Sequence, residues 1–256
     1  MASSATLAAA LAALAPVVVH DADERHPLAA VGPVGSPPAV HARVAPRPDG
    51  GAWLQFWLWY RENTQDRGIV RTGRHAGDWE MVQVRVDAAG RPLEAVFAQH
   101  HVAERCGWAD VRRQGGRPVV YVAHASHASY PRPGTRDRAW PEPNDEAAVV
   151  RPRVVRVTER SPGWMRDPRP WGGARAAWWN PAEQSSPRGP AFQGQGRWSD
   201  PDGWAAAARP CAPECDRLDA CDGVEDLQRA VAGTVALAIA AAGAALLGRR
   251  RRRRAA

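Results

Sequence analysis

The sequence predicts a mostly β protein with long loops rich in Trp, Gly and Pro and a hydrophobic helix near its C-terminal end. Three observations carry that expectation. Apolar runs of strand length recur at 53–60, 81–86, 93–99 and 118–123. The 23 Gly, 23 Pro and 12 Trp are dispersed between them, which suits ordered loops anchored by large rings and opposes long helices. Residues 231–248 form an 18-residue stretch whose only polar side chain is Thr234.

Taken in order, Ala and Leu over 6–14 favour a short helix that Pro16 ends, and 17–21 reads as a strand leading into a polar loop. A secretory signal carries a positive start, which 1–19 lacks, so helix and strand read as the opening of the domain. The Pro- and Gly-rich connection 28–51 holds a short strand at 39–44. The run 53–60 is apolar almost throughout, as expected of a central buried strand, with a short buried helix as the alternative. A polar connection over 61–74 then delivers the chain to its densest chemistry.

That chemistry is His75-Ala-Gly-Asp78-Trp79-Glu80, opening the strand that continues through 81–86. In a strand, Asp78 and Glu80 leave one face and Trp79 the other. A loop at 87–90 and a second strand at 93–99 complete a β-hairpin, which brings the carboxylates to the end that carries Gln99, His100 and His101. Between 100 and 117 the expectation is a loop with one helical turn. The strand 118–123 runs directly into His124, Ser126, His127 and Tyr130, so a fold that gathers these ends makes a polar pocket of carboxylates and imidazoles. A further strand is expected near 154–157. The Trp-dense segment 162–196 is expected to be ordered without regular structure, and 198–204 carries a cap for a short helix.

Every one of the 34 basic residues is Arg, and Ile occurs only at 69 and 239, a bias that fits a GC-rich coding sequence. Residues 249–254 supply six of the seven net positive charges, so the basic balance belongs to the tail. No basic stripe with base-reading groups is present, which argues against a nucleic-acid partner. Cys106, Cys211, Cys215 and Cys221 match no zinc spacing; they stay reduced or form disulfides in an exported chain, with three connectivities open.

As a helix, 231–248 reaches about 27 Å, enough for a thin hydrocarbon core. The expected organisation is a domain over 1–210, a linker over 211–229, a single-pass transmembrane helix within 230–248 and an Arg-rich tail over 249–256. The positive-inside rule puts the tail in the cytoplasm and the domain outside; a tail-anchored cytoplasmic domain and an Ala-rich surface helix are the alternatives.

The H-x-G-D-W-E pattern of 75–80 resembles the Vps62 family. So do His20 with Glu24 and Arg25 near the start, the aromatic strand to Tyr60, Ala98-Gln99-His100, Ser126–Tyr130 and the closing segments at 186–190 and 198–204. A more distant resemblance, at His75, Asp78, Trp79 and Glu80, is to the necrosis-inducing NPP1-like proteins. It implies an antiparallel β-sandwich with a divalent-cation site at the head of a strand. This chain has Ala76-Gly77 where that signature has a further histidine before the aspartate.

The expected function is a membrane-attached, cation-dependent binding module. His75, Asp78, Glu80, His100 and His127 are the metal candidates; Trp79, His101, His124, Ser126 and Tyr130 are the structural or ligand-contacting ones. Carboxylate oxygens favour Ca²⁺ or Mg²⁺, whereas a three-histidine site would favour Zn²⁺. The partner would be a lipid or glycan head group. One alternative is a metal-assisted hydrolase, with Asp78 and His127 holding the metal and Glu80 as base. The other is a structural or interaction domain without metal, in which the signature fastens the fold.

Overall fold

The computed structural model describes residues 2–22, 24–64, 66–67, 70–71, 74–100, 102–133, 148–172, 185–194, 196–211, 234–235, 237–240 and 243. Helix α1 (Ser4–Ala13) starts at Ser3, whose hydroxyl accepts from the Thr6 amide, and buries Ala10 and Leu11. The strands that follow are β1 (Val17–His20), β2 (Ala39–Pro46), β3 (Ala52–Asn63), β4 (Asp66–Arg67), β5 (Val70–Arg71), β6 (His75–Val86) and β7 (Pro92–Gln99). Next come β8 (Val102–Gly107), β9 (Arg113–Gln114), β10 (Arg117–Val122), β11 (Ser129–Tyr130), β12 (Ala148–Val150) and β13 (Arg153–Arg156). Helix α2 (Pro201–Ala206), capped by Asp200, and β14 (Arg209–Pro210) close the domain.

Two larger sheets result. One has the order β13-β2-β3-β6-β7-β8-β14; the other runs β11-β10-β1-β12, with β9 added on β10. Both are mixed, which corrects the expectation of an antiparallel arrangement: β1 with β10, β2 with β13 and β8 with β14 are parallel. The reason is connectivity. In each parallel pair the chain returns only after crossing other parts of the fold, whereas the hairpin-linked strands at the centre of the larger sheet are antiparallel.

The larger sheet is covered on both faces, which explains why 53–60 is apolar at nearly every position. Leu54, Phe56 and Leu58 join Val82, Val84 and Phe97 in a core shared with Val18 of β1 and Val120 and Val122 of β10. Trp53, Trp57 and Trp59 face the other way and meet Trp79, Met81 and Val96 under a lid of Trp164, Met165, Trp198 and Trp204. Full burial of side chains this large is worth about 1.5–3 kcal/mol each. Gln55 on that face donates to Gln83 and to the Arg197 carbonyl, and Gln83 donates to the Pro201 carbonyl, so buried amides hold the covering loop.

The region 100–117 has the expected helical turn, at Trp108–Asp110, but differs from expectation by forming β8 and β9 around it. The burial of β8 follows an irregular pattern in which Arg105 and Val102 are exposed, and no period-2 signal marks it. Cys106 of β8 is disulfide-bonded to Cys211; Cys215 and Cys221 lie outside the described residues.

The expected single-pass helix within 230–248 is corrected. Among the described residues no helix is long and apolar enough to cross a membrane. Crossing takes about 20 helical residues. The helical positions described in that stretch are 234–235, 237–240 and 243, with Val235, Leu237 and Ile239 exposed, and the rest of the stretch lies outside the described residues. The membrane localisation built on that helix falls with it. The expected linker beyond residue 211 and the tail over 249–256 also lie outside the described residues.

Gly77 sets how β6 enters the sheet. Its φ is +70°, and a Cβ there would overlap the Trp59 ring, which packs against Trp79 and Trp171. Gly77→Ala is therefore expected to cost about 2–4 kcal/mol, against about 1 kcal/mol for Gly35→Ala, where φ is also positive but nothing lies within 4 Å. Urea denaturation of the two variants checks this; equal losses would contradict the packing argument.

Candidate functional site

At one end of the gap between the two sheets the shared core turns polar. The register pairs Tyr60 with Asp78, Trp59 with Trp79 and Leu58 with Glu80. Asp78 and Glu80 thus leave the face that carries Tyr60, toward the smaller sheet, while Trp79 joins the tryptophan layer. Both carboxylates are buried, at 6% and 2% exposure.

The loop after β10 brings the central group. Ala125 and His127 adopt left-handed φ of +61° and +63°, and the turn closes with Ala123 donating to the Ala128 carbonyl and His127 donating to the Ala123 carbonyl. Such conformations are uncommon outside Gly and cost energy, so surrounding contacts must hold them. His127 is fully buried. Its Nδ1 lies 3.1 Å from Asp78 Oδ2, its Nε2 lies 3.7 Å from Glu24 Oε1, and its ring stacks on Tyr60 with centroids 3.9 Å apart. The second distance is an ion-pair separation, longer than a hydrogen bond.

Glu24 ties the N-terminal segment to this turn. One oxygen accepts the Ala125 amide at 2.7 Å and the other accepts the His26 amide at 2.8 Å. Asn63 at the end of β3 donates to Asp78 Oδ2 at 2.9 Å and to the Ser126 carbonyl at 3.1 Å. His20, edge-on to Tyr60, accepts the Leu28 amide through Nε2. Asp78, Glu24, Asn63 and the 123–128 turn therefore form one network across four chain segments.

Glu80 belongs to a neighbouring arrangement. His100, also left-handed with φ +55°, places Nδ1 3.4 Å from Glu80 Oε1, and Arg197 Nη1 lies 3.9 Å from Oε2. Arg197 also donates to the His100 carbonyl.

The electrostatics follow from this geometry. Burial disfavours the His127 cation, but Asp78 and Glu24 outweigh it and raise its pKa to about 9. Burial by itself would raise Glu24, yet His127 and the Ala125 and His26 amides hold its carboxyl well below the ordinary range. Asp78 is likewise lowered against its burial, by His127 first. Glu80 goes the other way: burial raises it, and His100 and Arg197 only partly offset this. Burial lowers His20 to about 4, with His127 adding to the effect, and an unprotonated Nε2 is what the Leu28 hydrogen bond requires.

Of the expected site residues, Asp78 and His127 meet directly, and Glu80 and His100 form a second pair. His75 sits opposite Asn63 at the start of β6. His124 faces Asp21 at 4.0 Å, Ser126 contributes its carbonyl to Asn63, and Tyr130 packs beside β10 in a small core. His101 lies outside the described residues. Among the described residues no group of three or more His, Cys, Asp or Glu is arranged to hold a metal ion. Sequence pattern does not mark Glu24, Asn63, Tyr60 or His20 as site residues; the likeness of the 20–25 segment to the Vps62 opening is the only signal for His20 and Glu24.

A family model described as vacuolar protein sorting-associated protein 62 matches residues 63–138, which contain Asn63, Asp78, Glu80, His100 and His127 but not Glu24. No curated protein matches the chain. Among solved structures, one titled "Toxin fold for microbial attack and plant defense" is 16% identical, with 60% of this chain and 75% of that one covered and a TM-score of 0.41. Necrosis and ethylene inducing protein 2, from the causal agent of cocoa's witches' broom disease, is 13% identical over 57% of this chain and 72% of its own, with a TM-score of 0.38. A structure titled "NLPPya in complex with glucosamine" is 16% identical over 60% and 74%, with a TM-score of 0.37.

The shifts define a pH response. His127, raised from 6.5 to about 9, contributes stability that is complete below pH 6.5 and lost as pH rises through about 9. His20, and His41 of β2, which is buried against the Trp79 and Trp164 rings, are lowered by burial to about 4 and make the fold lose stability as pH falls from 6.5 toward 4, because the unfolded chain takes up protons first. Glu24 and Asp78, both lowered, add to the acid loss below their ordinary ranges. Between pH 6.5 and about 9 an alkaline loss on the order of 3 kcal/mol is expected that is absent in His127→Gln. Melting curves at a series of pH values check this, and an alkaline limb unchanged in the variant would contradict the assignment.

Proposed function

We propose that residues 1–210 form a β-sandwich interaction domain in which Glu24, His127 and Asp78 fasten the loops at one end and so present a fixed surface to a partner. The observation that carries this reading is the burial of His127 between two carboxylates, with the cation's charge met from within the fold. A group so enclosed serves as a fastener joining the smaller sheet's loop to β6 and to the N-terminal segment. Left-handed backbone at Ala125 and His127 is held in place by those same contacts. The proposed partner class is a lipid or glycan head group, tested by vesicle flotation and by binding to immobilised glycans.

A second reading, a Ca²⁺ or Mg²⁺ site built from His75, Asp78, Glu80, His100 and His127, has its own support. Buried Tyr60 Oη, Ser129 Oγ and His127 Nε2 have no hydrogen-bond partner among the described residues. Groups of this kind are ordinarily satisfied by water, an ion or a ligand. A metal-assisted hydrolase would draw on the same contact between Asp78 and His127.

One substitution separates the readings. Removing one charge of a buried pair costs about 3–5 kcal/mol, so Asp78→Asn is expected to lower the melting midpoint by about 10 °C. As a fastener, Asp78 gives a wild-type protein whose midpoint does not respond to Ca²⁺ or Mg²⁺. A rise with either ion that Asp78→Asn abolishes would overturn the fastener reading in favour of the cation site.

A further inference from the structure

The last strand of the domain is held by a bond that the fastener does not use. β14 is Arg209–Pro210, both exposed, and among the described residues it pairs only with Glu104 and Arg105 of β8. A strand of two residues is far below the length that holds by itself, and Pro210 brings no N–H to the ladder. Among the described residues its other polar attachments are the Cys211 amide to the Arg105 carbonyl at 2.8 Å and the Arg209 guanidinium to Gln99 Oε1 at 2.8 Å.

Cys106 is different. It is fully buried opposite Ala95, inside the core that the two sheets share, and Cys211 packs against that core from outside. The disulfide joins positions 105 residues apart, a closure that strongly restricts the unfolded chain. β14 ends the order of its sheet and contributes no residue to either large core, so neither sheet depends on it.

We propose that Cys106–Cys211 is a redox latch that seats β14 on the edge of β8 and releases it on reduction while both sheets stay folded. Cys211 is partly exposed and Cys106 is not. A dithiol reductant therefore attacks at the Cys211 sulfur, and Cys106 leaves as the thiolate and takes a proton. The second thiol of the reductant then displaces the Cys211 thiolate, which is also protonated, and the reductant departs as a cyclic disulfide. Two electrons and two protons pass to the protein.

Hydrogen exchange of the full chain, with and without dithiothreitol, reads this out. After reduction, exchange in 207–211 is expected to speed up by about tenfold or more while β3 and β6 keep their protection. The double variant Cys106→Ser, Cys211→Ser should exchange like the reduced protein under both conditions. Unchanged exchange in 207–211, loss of protection in β3 and β6, or a double variant that does not fold would each overturn the latch. So would a non-reducing peptide map joining Cys106 to Cys215 or Cys221.

Discussion

The structure depends on an imidazole buried between two carboxylates. His127 lies between the sheets with Asp78 on one nitrogen and Glu24 on the other, and Tyr60 lies flat against the ring. Each partner comes from a different part of the chain: the N-terminal loop, β3, β6 and the turn after β10. A lone buried cation or carboxylate would be strongly destabilising; assembled, each offsets the desolvation of the others. The arrangement therefore specifies where four segments stand relative to one another more than it adds net stability.

Layering explains why the charge can be placed there. β3 and β6 bury both faces, so the sheet they centre is rigid on the side that presents Asp78 and Glu80. Along that side the residues run from aliphatic at Val84 and Val82 to acidic at Glu80 and Asp78, and the opposing sheet changes in the same direction from Val120 to Ser129. On the reverse side, Trp79 locks into rings of Trp59, Trp164 and Trp171 with centroids 4.9–5.9 Å away. The aromatic layer thus fixes the strand whose other face carries the chemistry.

Much of this was legible in the sequence because the signals were local. Strict alternation at 78–80 assigns opposite faces to the carboxylates and Trp79, and the β6–β7 hairpin is declared by its turn at 87–90. The approach of Asp78 to His127 was legible only as a meeting of strand ends. Glu24 was not foreseen as a site residue, since its role depends on a turn 101 positions later presenting the Ala125 amide. Parallel pairing of β1 with β10 was hidden for the same reason: nothing local encodes a partner across the length of the larger sheet. The apolar stretch at 231–248 shows the converse hazard, for composition alone suggested a membrane span that no described helix supports.

The most direct test of the account is the charge state of His127, read from its ring ¹⁵N and ¹H resonances by NMR across a pH titration of the folded protein. Held between Asp78 and Glu24, the ring is predicted to carry protons on both nitrogens at neutral pH and to lose one only as pH approaches about 9. A neutral ring with a single protonated nitrogen at pH 7 would contradict the ion pairing on which the fold of this site rests.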